Sequence, residues 1–442
     1  MVILILCTLI SFGLYIAAPA PYSYVFSMEC LTVFLTAGFV MLRNNCRHTF
    51  IKFELFFTIA FFFTNIIYSV VYYPVNPYFF LFNLPFNEDY INKGLALSVL
   101  AYSTFCMGIY DKSTPCLRKK NFELRKYVEP RKWIYVMVVM YLPVLITAVL
   151  ANAYVVDFTR SNINAILLFV FLYGIFAIFS NYDQSNGLKE FVSLSSSKLF
   201  FICICIYVLT YLYVGSRTNP LRLILLMVFC YSIFISDIDK KRLLAYMAAG
   251  SALMMVVSVF RARGAFDEES LTSFWDIGMD LTINNRSLYV LMEDADMHGI
   301  NFGKTMLSSI AAIVPWGQSL LLNITGWKIE DINSASYVTN LYFSSASIKE
   351  ELYGLGTNIL GDIYIAFGLF GVIGYMYFLG RILRTLYRRM CRGSRVAVFL
   401  YAMIFIEVIY ITRASSLEFL RNIAWGCLWF YFFNNIYKKK RL

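Results

Sequence analysis

Eight arginines stand at the ends of apolar runs or in the one long polar segment of the chain: Arg160, Arg217, Arg222, Arg261, Arg263, Arg286, Arg413 and Arg421. Guanidinium is planar, permanently charged and donates paired hydrogen bonds, so a converging set of arginines suits phosphate oxygens. Arg217 occupies the tip of a tight turn, GSRTNPLR, where Gly215 and the Asn219-Pro220 pair reverse the chain. Together with Arg261, Arg263, Arg413 and Arg421 at other run ends, and Arg286 in the long segment, it could clamp a pyrophosphate carried on a lipid. The competing use of the same side chains is to snorkel to lipid headgroups or to pair with nearby acids.

Group transfer onto a hydroxyl also needs something to take a proton. Asp362 is the first choice, since it lies at the start of GTNILGDIYIAFGLFGVIG, where the helix dipole favours an anion. The same position suits a simple helix cap. Glu418 precedes Arg421 by three residues and could pair with it on one helix face. His298 ends the acidic run EDADMH, where a solvated loop histidine is the plainer reading. Glu407 sits inside an apolar run, where a carboxylate faces the bundle interior and most simply answers an arginine. With two histidines and no CxxC or HExxH, no metal is expected. There is no P-loop and no GxSxG, so nucleotide chemistry is not supported and no cofactor is expected.

The elements that must hold these residues are membrane helices. The chain has 442 residues, 60% of them hydrophobic and 15% charged, and its mean hydropathy is +0.64. Soluble domains carry about 25% charged residues. Apolar runs close to the ~20 residues that cross a bilayer recur along nearly the whole length, and such runs must be helices because lipid offers the backbone no partners. Twelve are read, near 2–19, 24–42, 53–72, 94–110, 133–153, 163–180, 199–215, 221–237, 243–260, 361–380, 396–412 and 422–437. The first has no basic leader and is taken as a span rather than a signal peptide.

With the N-terminus inside, the cytoplasmic segments hold 26 of the 38 lysines and arginines, including the six arginines from Arg381 to Arg395. That asymmetry follows the positive-inside rule, so the net charge of +11 speaks for topology and not for nucleic acid. Residues 1–260 then form spans one to nine, 261–360 one large external loop, and 361–442 the last three spans with a basic tail. The loop holds 12 acidic and 6 basic residues and no cysteine, so short helices without disulfides are expected to cap the bundle there. Met306 to Leu322 is apolar enough to suggest another span, but Pro315 and Gly317 interrupt it. It is read as a helix in the interface or packed on the bundle.

Local matches in a fixed order give the chain a family likeness. GSRTNPLRLILLM, RAR after the ninth span, NFGKTMLSSIAAIVP, GTNILGDIYIAFGLFGVIG and TRASSLEFLRN together resemble the Wzy-type O-antigen polymerases across residues 210 to 425. Asp362 stands where that family more often has Glu, Ala366 where many members have Asn, and Thr357-Asn358 where related ligases carry a His-Asn pair. The resemblance implies an all-α polytopic fold of the C-type glycosyltransferase kind in the bacterial inner membrane. It implies polymerisation of undecaprenyl-pyrophosphate-linked oligosaccharide repeat units on the periplasmic face, by glycosyl transfer from lipid pyrophosphate to a sugar hydroxyl. Implied partners are those lipid-linked units, membrane lipid, a chain-length regulator and a flippase. A lipid-linked oligosaccharide flippase and an O-antigen ligase-like transferase are the alternatives, and a membrane scaffold is a third.

Overall fold

The computed structural model describes residues 1–46, 51–75, 86–111, 158–180, 195–213, 218–236, 238–239, 241–245, 250, 282, 284–345 and 356–439. Among them every regular element is helical. Helices α1 (Val2–Ile16), α2 (Tyr24–Asn45), α3 (Phe53–Asn65) and α4 (Tyr90–Ile109) fall on the first four expected spans. Helices α5 (Phe158–Ser180), α6 (Ser195–Tyr213) and α7 (Thr218–Cys230, continued by a π-helical turn Tyr231–Ile235) fall on three more. The expected span at 133–153 and most of that at 243–260 lie outside the described residues. By length and composition, Tyr24–Asn45, Thr218–Ile235 and Ile359–Cys391 are each long and apolar enough to cross a membrane unaided.

Helix α4 is the hub. Its small residues let neighbours approach closely, and it is buried along nearly its whole length against α1, α2 and α13 (Ile359–Cys391). At the α4–α13 crossing the backbones touch: a Cβ on Gly108 would meet the Tyr377 carbonyl at 2.3 Å, and one on Gly380 would meet the Phe105 carbonyl at 2.7 Å. Aromatic rings fill the space between α2, α3 and α4, with Phe34 centred 4.3 Å from Tyr102 and Phe57 4.4 Å from Phe105.

Helix α13 departs from the expected span 361–380. It is broken at Gly368, whose φ of 67° is costly for any residue with a side chain. The carbonyl of Ile365, which the break would orphan, accepts the Asn301 N–H at 2.8 Å. The stretch before the break is buried, and its cap is Asn358, whose side chain accepts from the Leu360 N–H at 2.9 Å. Asp362 is therefore not the cap. The stretch after the break runs on to Cys391, so four of the six arginines expected in a loop lie on the helix. Arg388 binds Asp111 through Nη2 at 2.6 Å, and Arg384 reaches it at 3.4 Å. These pairs let the helix project its basic end beyond the apolar part.

Between 284 and 345 the chain forms α8 (Asn284–His298), a 3-10 turn at Lys304–Met306, α9 (Leu307–Ala311), α10 (Gly317–Thr325), α11 (Ile329–Ile332) and α12 (Ser334–Ser345). The Met306–Leu322 segment is split between α9 and α10 at Ala312–Trp316. Neither piece approaches the ~30 Å of a hydrocarbon core at ~1.5 Å per residue. The last helices are α14 (Arg395–Ile406) and α15 (Glu418–Lys439). Helix α14 stops short of the expected 412, because Glu407 leaves the helix to bind groups on two other elements.

Candidate functional site

Two buried carboxylates fix the connection between α14 and α15. Asp362, on the buried opening of α13, is fully shielded from solvent. Its Oδ2 accepts from Ser415 Oγ at 2.9 Å, from Ser416 Oγ at 2.7 Å and from the Ser416 backbone N–H at 2.7 Å. Its Oδ1 takes a longer bond from Thr305 Oγ1 at 3.4 Å. Ser309 Oγ adds a contact to Ser415 Oγ at 3.4 Å, and the Tyr375 hydroxyl donates to the Ser416 carbonyl. The loop is held from α9 and from both parts of α13 at once, with three of its bonds converging on Asp362 Oδ2.

Glu407 holds the other end. Its Oε2 pairs with Arg222 Nη2 at 2.8 Å and its Oε1 accepts from Asn422 Nδ2 at 2.8 Å. The carbonyl of Glu407 also accepts the N–H groups of Tyr410 and Ile411, at 2.9 and 2.8 Å, which turns the chain. Glu407 is thus the counter-ion the sequence suggests, and its arginine is Arg222 from the start of α7. Asn219 supports the guanidinium at 3.2 Å, and the Tyr410 ring lies 5.4 Å beneath it.

What this loop presents is a mixed charge cluster. Arg222 and Arg413 both lie within electrostatic reach of the Tyr410 phenol. Arg421, Arg222 and Glu407 all lie within electrostatic reach of Glu418. Arg413 is half-buried, with its carbonyl tied to Asn284 Nδ2 at 3.2 Å, whereas Arg421 is exposed. Arg222 is neutralised by Glu407, so Arg413 and Arg421 outweigh Glu418 and the cluster is net cationic.

Glu418 differs from Asp362 in access. Its side chain reaches solvent, yet the protein around it is dense enough to strip part of its water. That loss of water raises the carboxyl above its ordinary range, against the opposing pull of Arg421 and Arg222.

The other residues singled out from the sequence lie elsewhere or outside the description. Arg217, Arg261 and Arg263 fall outside the described residues; Arg217 immediately precedes Thr218 in the chain. Arg286 is buried on α8, over the rings of Tyr68 and Phe86 at 5.8 and 5.2 Å. His298 ends α8 and pairs with Asp294 at 2.9 Å; Asp294 also accepts from the Tyr337 hydroxyl at 2.7 Å. Among the described contacts His298 shares none with Asp362 or Glu418. Sequence reasoning singled out Arg222 as a cation but not as the partner of Glu407, and it missed Asn422 and the hydroxyls of Thr305, Ser415 and Ser416. The adjacent serines in TRASSLEFLRN were the available signal for a loop that binds an anion of its own.

A family model described as O-antigen polysaccharide polymerase Wzy matches residues 1–440. No match was found to a curated protein or to a solved structure.

Proposed function

The chain belongs to the O-antigen polysaccharide polymerase Wzy family, and we propose that it joins pyrophosphate-lipid-linked oligosaccharides on the non-cytoplasmic face of the membrane, with the 407–422 loop as its reaction centre. The acceptor sugar hydroxyl attacks the anomeric carbon of the donor. The bond from that carbon to the pyrophosphate oxygen breaks, and the lipid pyrophosphate leaves with the electron pair. Arg413 and Arg421 bind the leaving pyrophosphate, joined by Arg217, Arg261 and Arg263. Preorganised cations at the leaving oxygens stabilise charge as it develops. Glu418 takes the acceptor proton, since it combines solvent access with a raised affinity for protons. Asp362 and Arg222 are positioning residues: one holds the serine end of the loop, and the other holds its Glu407 end.

The observation that carries this reading is the joining of Arg222, Arg413, Arg421 and Glu418 by one loop anchored on two buried carboxylates. Incubation of purified protein in liposomes with a lipid-linked repeat unit tests it. A ladder of longer lipid-linked products is expected. A folded protein that leaves only single units, or that merely moves them across the bilayer, overturns it.

A further inference from the structure

Helix α10 turns an apolar stripe away from the rest of the protein. Trp316, Leu320 and Ile324 recur at every fourth position and are exposed by 70%, 60% and 74%. None of the nine residues of α10 is buried. In water such a stripe would be an unfavourable surface. Its surroundings identify what covers it. Phe302, 79% exposed, precedes the same hairpin, and the adjoining Gly303 lies against the Phe367 ring, where an added Cβ would meet Cζ at 3.0 Å. Phe367 and Phe370 in turn begin the exposed stripe of α13, which continues through Phe378 and Ile382 along the part long enough to cross a membrane. The turn that leads into the hairpin thereby packs on the exposed apolar stripe of α13, the helix long and apolar enough to cross a membrane. Beyond α10 the chain becomes charged again at Lys328, Glu330 and Asp331, after Trp327, whose ring Lys304 covers at 4.6 Å. An aromatic followed by charges is the sequence of groups found where a chain leaves the hydrocarbon for the headgroups.

We infer that the α9–α10 hairpin is a membrane-inserted element, with Trp316, Leu320 and Ile324 seated among lipid acyl chains beside the candidate loop. The hairpin is not free to drift from that loop. Gln318 Nε2 binds Ser308 Oγ at 2.6 Å and so folds α10 back on α9. Thr305 and Ser309, at the base of the hairpin, bond Asp362 and Ser415. Insertion of α10 therefore sets the depth of the 413–418 loop at the level of the headgroups. A lipid-borne pyrophosphate then meets Arg413 and Arg421 in the plane of the membrane without being lifted from it. That consequence for delivery rests on the polymerase reading; the depth of α10 does not.

The depth is measured by tryptophan quenching in liposomes. The protein has 6 tryptophans, so the signal of interest is the emission lost on Trp316→Phe, which keeps a large aromatic in place. Expected for that difference emission is strong quenching by phospholipids brominated near the carbonyl end of the acyl chain and none by aqueous iodide. Leu320→Trp adds an independent reporter one turn along, and its added emission should behave alike. Quenching by iodide without quenching by brominated lipid would place the stripe in water. Quenching by neither would mean that protein covers it, and either result overturns the inference. Because no turnover is read, loss of polymerisation in other assays leaves this result standing.

Discussion

Asp362 accepts three short hydrogen bonds at one oxygen from neutral donors and has no solvent, whereas Glu418 meets solvent beside arginines. The two should respond oppositely to isosteric amides. In Asp362→Asn the amide oxygen can still accept from Ser415 and Ser416, and the new NH2 can donate to the Thr305 hydroxyl. Polymer yield should fall by less than about tenfold, because the loop keeps its anchor while losing charge-assisted bonds worth roughly 1.5–3 kcal/mol each in place of weaker neutral ones. In Glu418→Gln the proton acceptor itself is gone, and a loss of about 100-fold or more is expected with the fold intact. Product ladders at matched membrane expression decide between them; the reverse order would give the proton to Asp362. Glu418 acts as a base only when ionised. Its raised carboxyl range means that activity falls with decreasing pH earlier than for a glutamate titrating near about 4.3. Arg421→Gln removes a cation that favours the ionised form, so the acidic limb of the residual pH–rate profile should move to higher pH. At Arg421 itself the paired donors matter more than the charge. Arg421→Lys should therefore lose most of the ~3–4 kcal/mol that removal of one such donor costs, read as kcat/KM for the lipid-linked donor.

Among the described residues, helices fall on the long apolar runs, because backbone in lipid has no other option. Their interruptions were less legible. The run around Gly368 stays apolar on both sides, so nothing local announces a break whose orphaned carbonyl is satisfied by Asn301, 64 residues earlier in the chain by its number. Likewise the run through 396–412 stays apolar across Glu407, and only Arg222 on another helix explains why α14 ends there. Arg222 stood out as a cation but not as this partner, since pairing across helices leaves no spacing to read. The pair is buried, so removing one member strands the other. Arg222→Met should destabilise by roughly 3–5 kcal/mol, whereas Arg222→Met with Glu407→Gln should recover most of the melting temperature, because the amide still accepts from Asn422. A second test concerns the hub. Gly380→Ala pushes a methyl to within 2.7 Å of the Phe105 carbonyl, an overpacking that costs about 1–3 kcal/mol. Gly374→Ala on the same helix meets nothing within 4 Å and should be neutral. Thermal unfolding in detergent compares all four variants.

At the scale of the whole chain, charge carries the argument that packing cannot. With 26 of 38 basic residues on one side of the expected topology, the orientation depends on whether anything between Arg261 and Leu360 crosses. The family and the membrane character were readable from motif order and composition, but the proposed pyrophosphate clamp was readable only as a set of separate arginines. Folding brings Arg222 to the segment that carries Arg413 and Arg421, and leaves Arg286 of α8 over the rings of Tyr68 and Phe86. The proposed topology expects the candidate site and the basic end of α13 to face opposite compartments, with the 23 residues from 369 to 391 between them along α13, about 34 Å at 1.5 Å per residue. That length crosses the ~30 Å core once. Asn340, exposed on α12, and Arg389, exposed near the end of α13, report the two sides. In spheroplasts a membrane-impermeant maleimide should label Asn340→Cys directly, and Arg389→Cys only after the membrane is permeabilised. The split of Met306–Leu322 into two short helices makes a hidden crossing there physically unfavourable, since neither piece approaches the length of a hydrocarbon core. Direct labelling of both positions would mean that α13 does not cross; labelling of Arg389→Cys alone would place the loop, and with it the proposed reaction centre, in the cytoplasm.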